Sequence, residues 1–154
     1  MAGPGAEALV RTAMALAAEA GERGDPPFGA ILVDPTGTTV ARAANRQATG
    51  RDPTAHAEVE VIRVAARGGH GPPLVGYTIA VNAEPCSMCT SLLVKAGVTR
   101  IVFGAPHESH MDPDLGLAEV LARSRRAPAV LGGVLAGEAA AQIAAFRSGH
   151  PPLD

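Results

Sequence analysis

Tryptophan is absent from this chain, tyrosine occurs once, phenylalanine three times, cysteine twice, and lysine once against twelve arginines. With so few aromatics, a core for 154 residues has to be built from Ala, Val, Leu and Ile, and that length suffices to bury one as a single domain spanning 1–154. The single Lys95 among arginines reads as codon bias and says little about chemistry. No apolar run approaches the ~20 residues of a membrane span. The N-terminal stretch carries acidic residues and no basic start, so no signal peptide is expected. A formal net charge of −2 offers no global attraction to phosphate backbones, which argues against nucleic acid as the main partner. The expectation is a cytoplasmic protein, off the membrane, with reduced thiols.

Residues 6–21 have apolar positions at helical spacing. "FGAILVDPTGTTVARAAN" reads as two strands around a turn at 34–37, and "DPTAHAEVEVIRVAARGG" as a helix with Thr54 at its N-cap and Gly68 beyond its end. "VGYTIAVNA" reads as a strand, and Cys86–Ala96 as a helix with Pro85 at its first turn. "TRIVFGA", "LGLAEVLARS", "PAVLGGVL" and "GEAAAQIAAFRS" continue as strand, helix, strand and helix. Helices alternating with strands from about residue 55 imply crossovers and a partly parallel sheet. The architecture expected is a three-layer α/β/α domain with about five strands.

Both cysteines fall in "NAEPCSMCTS". By themselves they are compatible with a redox pair, half of a metal site, or buried thiols. "PTAHAE" and "EPCSMC" each place metal-capable side chains at a helix start. Cys86 and Cys89 share one helix face. His56 and Glu58, two apart, converge only on something beyond the helix N-terminus. One His and two Cys leave an open fourth position, the pattern of a catalytic zinc site. The positive ends of two helices favour ionised thiolates and an activated water. Glu58, two residues from a ligand, is then placed to exchange protons with that water.

"HAE" followed thirty residues later by "PCSMC" resembles the H-x-E…P-C-x-x-C signature of the zinc-dependent cytidine/deoxycytidylate deaminase superfamily. "PFGAILVD", "AAN", "DPTAHAE", "EPCSMC" and "AGVTRIVFGA" occur in the order seen in its guanine, cytosine and tRNA-adenosine deaminase branch. The resemblance implies that His56, Cys86 and Cys89 hold Zn2+ and that Glu58 shuttles protons from water to ring nitrogen and leaving ammonia. It further implies that Asn45 hydrogen-bonds substrate and Phe28 lines the base pocket. The N–H groups of Ala57 and Cys86 would sit near the reacting oxygen, and the Glu84 carbonyl would accept from the exocyclic amine. A helix at 115–124 implies parallel last strands, as in the purine and tRNA-adenosine branch. An acidic substrate contact is implied for the 108–114 loop, with Asp112 and Asp114 as candidates.

tRNA-adenosine deaminases typically carry a D-x-K-x-G-A-like loop and an Arg-rich final helix. Here "PHESHMDPDLG" and "AAFRSGHPPLD" stand instead. The expected substrate is therefore a free nucleobase or nucleoside, guanine-type first and cytosine-type second, with nucleic acid an unlikely partner and a homodimer as the assembly. The alternative is a tRNA adenosine-to-inosine deaminase, and a third possibility is an idle zinc-binding interaction module.

Overall fold

A computed structural model describes residues 4–107 and 115–149. The element order is α1 (Ala6–Glu22), β1 (Gly29–Val33), β2 (Thr39–Ala44), α2 (Ala57–Arg67), β3 (Thr78–Ala83), α3 (Ser87–Ala96), β4 (Arg100–Ala105), α4 (Leu117–Ala122), β5 (Ala129–Leu131) and α5 (Ala136–Gly149). The strands form one mixed sheet in the order β2-β1-β3-β4-β5. β1 pairs antiparallel with β2 and β3, whereas β3, β4 and β5 run parallel. The expected three-layer α/β/α architecture is therefore present, and the helix between the last two strands does make them parallel.

Side-chain alternation along the strands divides the core between two faces. Leu32, Ile79, Val81, Ile101 and Phe103 pack with Val61 of α2 and Leu93 of α3 on one side. Ile31, Val33, Ala80 and Val102 pack with Leu9 and Val10 of α1 on the other. β1 is buried at all five positions, as a strand covered by helices on both faces must be. At Gly29 a Cβ would collide with the Ala13 carbonyl and lie 2.6 Å from Leu16 Cβ, so α1 rests directly on the start of β1.

Several boundaries depart from the sequence expectation. The second helix begins at Ala57, and its N-cap is His56 rather than Thr54. The Thr54 hydroxyl instead donates to Asp52 Oδ1 in the preceding turn, a local bond that competes with capping. The third helix begins at Ser87 with Cys86 as N-cap, so Pro85 lies outside it. α4 and β5 are shorter than expected. β5 keeps only three residues, all exposed, and forms an edge of the sheet. No described helix is long and apolar enough to cross a membrane.

Candidate metal centre and active site

His56 and Cys86 hold equivalent positions. Each is the N-cap of a helix, each has extended backbone (φ −66°, ψ 155° and φ −70°, ψ 176°), and neither uses its side chain to cap its own helix. The two side chains are thereby left to meet each other across the gap between α2 and α3. Cys89, one turn into α3, joins them. His56 Nδ1 lies 3.6 Å from Cys86 Sγ and 3.5 Å from Cys89 Sγ, and all three ligand atoms fall within 4.8 Å of one another.

These separations test whether a metal fits. Zinc bonds of ~2.3 Å to sulfur and ~2.0–2.1 Å to nitrogen, opened to a tetrahedral angle, place S and N about 3.6 Å apart. The observed S–N distances match that span, and three N/S donors leave one tetrahedral position open. Among the described residues, His56, Cys86 and Cys89 are the group able to hold a metal ion.

The electrostatics suit a cation. The hydrogen bond with Cys89 is the main cause that pulls the Cys86 thiol down to about 4. Cys89 is pushed up, first by that same contact with Cys86 and then by burial. Burial would lower His56, but its hydrogen bond to Cys86 and the charges of Glu58 and Cys86 outweigh it and raise the imidazole. Burial pushes Glu58 up, opposed by His56. The cluster thus stabilises a thiolate and a shared proton where a divalent ion would supply positive charge.

Glu58 is a buried residue of the first turn of α2, on the helix end that His56 opens, so the convergence inferred from the H-x-E spacing is present. Ala57 is fully buried, and as the first residue of α2 its N–H has no acceptor within the helix. Glu84 is half-buried between β3 and α3, and its N–H donates to the Ala105 carbonyl at 2.8 Å. Phe28 and Asn45 are brought together, with the Asn45 N–H donating to the Phe28 carbonyl at 2.9 Å. Phe28 packs against apolar residues on both faces of the sheet. Asn45 is 1% exposed, and its side chain closes a turn: Oδ1 accepts from the Gln47 N–H at 2.8 Å and Nδ2 donates to Gln47 Oε1 at 2.6 Å. Asp112 and Asp114 lie outside the described residues.

Two buried polar residues around the site were missed by the sequence reading. Asp25, fully buried, accepts four hydrogen bonds: from the N–H groups of Ala48 (3.0 Å) and Thr49 (2.8 Å), the Thr49 hydroxyl (2.8 Å) and Arg23 Nε (3.2 Å). Arg23 also donates to the Asn45 carbonyl at 3.0 Å. The pair ties the end of α1 to the loop that follows Asn45. Asn82, also fully buried, accepts from the Gly29 N–H at 3.0 Å and donates to the Pro27 carbonyl at 2.8 Å, holding the chain on both sides of Phe28. Its signal was an Asn inside the otherwise apolar "TIAVNA"; for Asp25 the sequence offers no comparable mark.

Comparison with known proteins agrees with this geometry. The sequence model of the cytidine and deoxycytidylate deaminase zinc-binding region matches residues 5–105. The chain is 36% identical over 144 residues to the tRNA-specific adenosine deaminase of Agrobacterium fabrum, covering 90% of this chain and 91% of that one. It is 38% identical over 136 residues to the tRNA(Ile)-lysidine synthase of Deinococcus radiodurans, covering 86% of this chain but spanning only 23% of that protein's length. A solved tRNA:A34 deaminase, studied for A-to-I editing at the wobble position of transfer RNA, superposes with a TM-score of 0.77 at 33% identity, covering 88% of this chain and 98% of that one. A guanine deaminase structure from Nitrosomonas europaea superposes with a TM-score of 0.81, over 96% of this chain and 86% of that one, but at 22% identity it shares the fold alone.

These findings overturn two expectations: a free guanine- or cytosine-type base as substrate, and nucleic acid as an unlikely partner. Relatives more than a third identical over most of the chain are named for tRNA adenosine, whereas the guanine deaminase likeness stops at the fold. The net-charge argument failed because a whole-chain sum is silent on where charges lie. With its matched signature, fold and three-donor centre, the chain belongs to the cytidine and deoxycytidylate deaminase zinc-binding family.

Proposed function

We propose that this chain deaminates adenosine in tRNA at the wobble position, converting it to inosine with uptake of water and release of ammonia. The observation that carries the reading is the S–N geometry of His56, Cys86 and Cys89 in a chain that matches a tRNA-specific adenosine deaminase across nine-tenths of its length. The similarity to a tRNA:A34 deaminase structure supports the position of editing.

His56, Cys86 and Cys89 would hold the zinc, which would supply an activated water for attack on the ring. Glu58 would carry one proton of the attacking water to the ring nitrogen beside the reacting carbon, and then the second proton of that water to the departing amine, which leaves as ammonia. Burial raises the Glu58 carboxyl, which suits a group that must hold a proton and then release it. The Ala57 N–H, unpaired at the helix start, is available to the oxygen gained by the ring. Phe28, held from behind by the Asn45 N–H on its carbonyl, would border the pocket that receives the base, and the base must leave its stack to reach the centre.

The test compares kcat/KM on an anticodon stem-loop bearing adenosine at the wobble position with free adenine, adenosine, guanine and cytosine. Inosine formation in the stem-loop, with at least a hundredfold preference over every free base and nucleoside, is expected. Efficient turnover of a free base with none of the stem-loop would overturn the proposal.

A further inference from the structure

A cleft of about 330 Å³ opens along the outer edge of β2, between the flanks of α1 and α2. Its charged lining consists of Arg23, Arg42, Arg46 and Arg67 against Glu19 and Glu60. One cleft therefore holds four of the twelve arginines in a chain whose formal net charge is −2. Two of the six lining groups have partners close by: Arg23 is bonded to Asp25 and Glu60 to Arg63 at 3.1 Å. Among the described residues, the exposed side chains of Arg42, Arg46 and Arg67 have no hydrogen-bond or ion-pair partner, so three guanidinium groups face the cleft against the Glu19 carboxylate.

A backbone hydrogen bond links the cleft to the segment that leads into the metal centre. Arg46 follows Asn45, and its N–H donates to the carbonyl of Ala55, the residue before His56, at 2.9 Å. Arg67 closes the other end of α2, the helix that His56 opens. Eleven residues of helix separate the two ends by about 16 Å. The cleft's arginines thus lie on the two segments, β2 with its following loop and α2, that also lead to His56. Charged side chains on an edge strand also discourage strand-to-strand aggregation, but that role would be met by Arg42 alone and asks nothing of Arg67 on α2.

We infer that this cleft binds the phosphodiester backbone of the RNA substrate away from the reacting base, with Arg42, Arg46 and Arg67 as the phosphate contacts. Planar, permanently charged guanidinium forks suit phosphate oxygens, and such contacts position a nucleic acid without reading its sequence. The inference rests on the tRNA reading above and adds to it the surface by which the RNA is held.

The experiment uses the full-length, zinc-loaded protein and an unmodified tRNA transcript. Kd is measured by fluorescence anisotropy between 50 and 300 mM salt for the wild type, Arg42→Gln/Arg67→Gln, and the control Arg125→Gln/Arg126→Gln, which removes the same charge outside the cleft. Loss of two phosphate contacts lowers the slope of log K against log salt by about 1.5 and weakens binding at low salt at least tenfold. Turnover number on a short stem-loop stays at the wild-type value, and the control keeps the wild-type slope. Arg42→Lys/Arg67→Lys recovers the slope if the variant is folded. An unchanged slope, or an equal fall in the control, would overturn the inference. Tighter binding of polyglutamate than of tRNA would assign the cleft to an acidic protein segment instead. Failure of the two readings is distinguishable: stem-loop editing with an unchanged slope sinks only the cleft, and cleft-dependent tRNA binding without editing sinks only the substrate.

Discussion

Asp25 provides a demanding test of how the site is held. Its carboxylate is fully buried and accepts four hydrogen bonds from Ala48, Thr49 and Arg23. Asp25→Ala strands two backbone N–H groups and leaves the guanidinium of Arg23 without its counter-ion. Breaking one side of a buried ion pair costs about 3–5 kcal/mol; with Arg23 31% exposed and able to turn to water, about 4 kcal/mol is expected. Asp25→Asn keeps an acceptor for Ala48 and Thr49 but sets an amide donor against Arg23, and about 2 kcal/mol is expected. For a domain of this size 1 kcal/mol moves Tm by roughly 3 °C, so the two variants should melt about 12 °C and 6 °C below the wild type at pH 7 with zinc saturating.

Burial pushes the Asp25 carboxyl up, but the bonds from Thr49, Arg23 and Ala48 together outweigh it and leave it below its ordinary value. A depressed carboxyl contributes stability that is present above its unfolded value near ~4 and is lost as pH falls through the folded value. The Tm gap between wild type and Asp25→Asn should therefore be flat from pH 6 to 8 and narrow below about pH 4. Because Arg23 also donates to the Asn45 carbonyl, KM should rise more than kcat falls. Melting within about 1 °C of the wild type at pH 7, or a gap that widens on acidification, would refute the argument.

Purified protein should carry about one zinc per chain by elemental analysis, as three protein ligands and an open position require. Cys86→Ser and Cys89→Ser should each lower occupancy and stability, and full zinc content in both would remove these residues as ligands. Glu58→Gln preserves volume but cannot transfer protons, so zinc content should persist while kcat/KM falls by about 10²–10⁴; wild-type turnover would place the proton transfer elsewhere. Gly29→Ala puts a methyl 2.6 Å from Leu16 Cβ and should destabilise by about 3 kcal/mol in chemical denaturation; a neutral effect would mean that α1 does not rest on β1 as described. Light scattering across the micromolar range should give a two-fold homodimer, and a concentration-independent monomer would refute that assembly.

The metal ligands were legible because their spacing carries geometry. Two thiols three apart share a helix face, and His and Glu two apart agree only beyond a helix end, so local periodicity alone pointed to one centre between two N-termini. The layer order was legible for a similar reason, since alternating elements imply crossovers. The His56 and Cys86 caps were not, because a cap depends on where the chain turns. Thr54, the better capping residue by type, spends its hydroxyl on Asp52.

What tertiary structure alone decided is the company kept by residues far apart in sequence. Asp25 meets Thr49 and Asn82 meets Pro27 only through the sheet order β2-β1-β3, and Asn45 ends closed on Gln47 where the sequence left its side chain open to substrate. The arginines show the same limit most plainly. Arg23 caps α1, Arg42 lies in β2, Arg46 follows it and Arg67 ends α2, and in sequence they enter only as a sum that acidic residues cancel. Folding puts them around one cleft, and because screened charges act over about 10 Å, that local grouping, rather than the total, sets what the surface attracts.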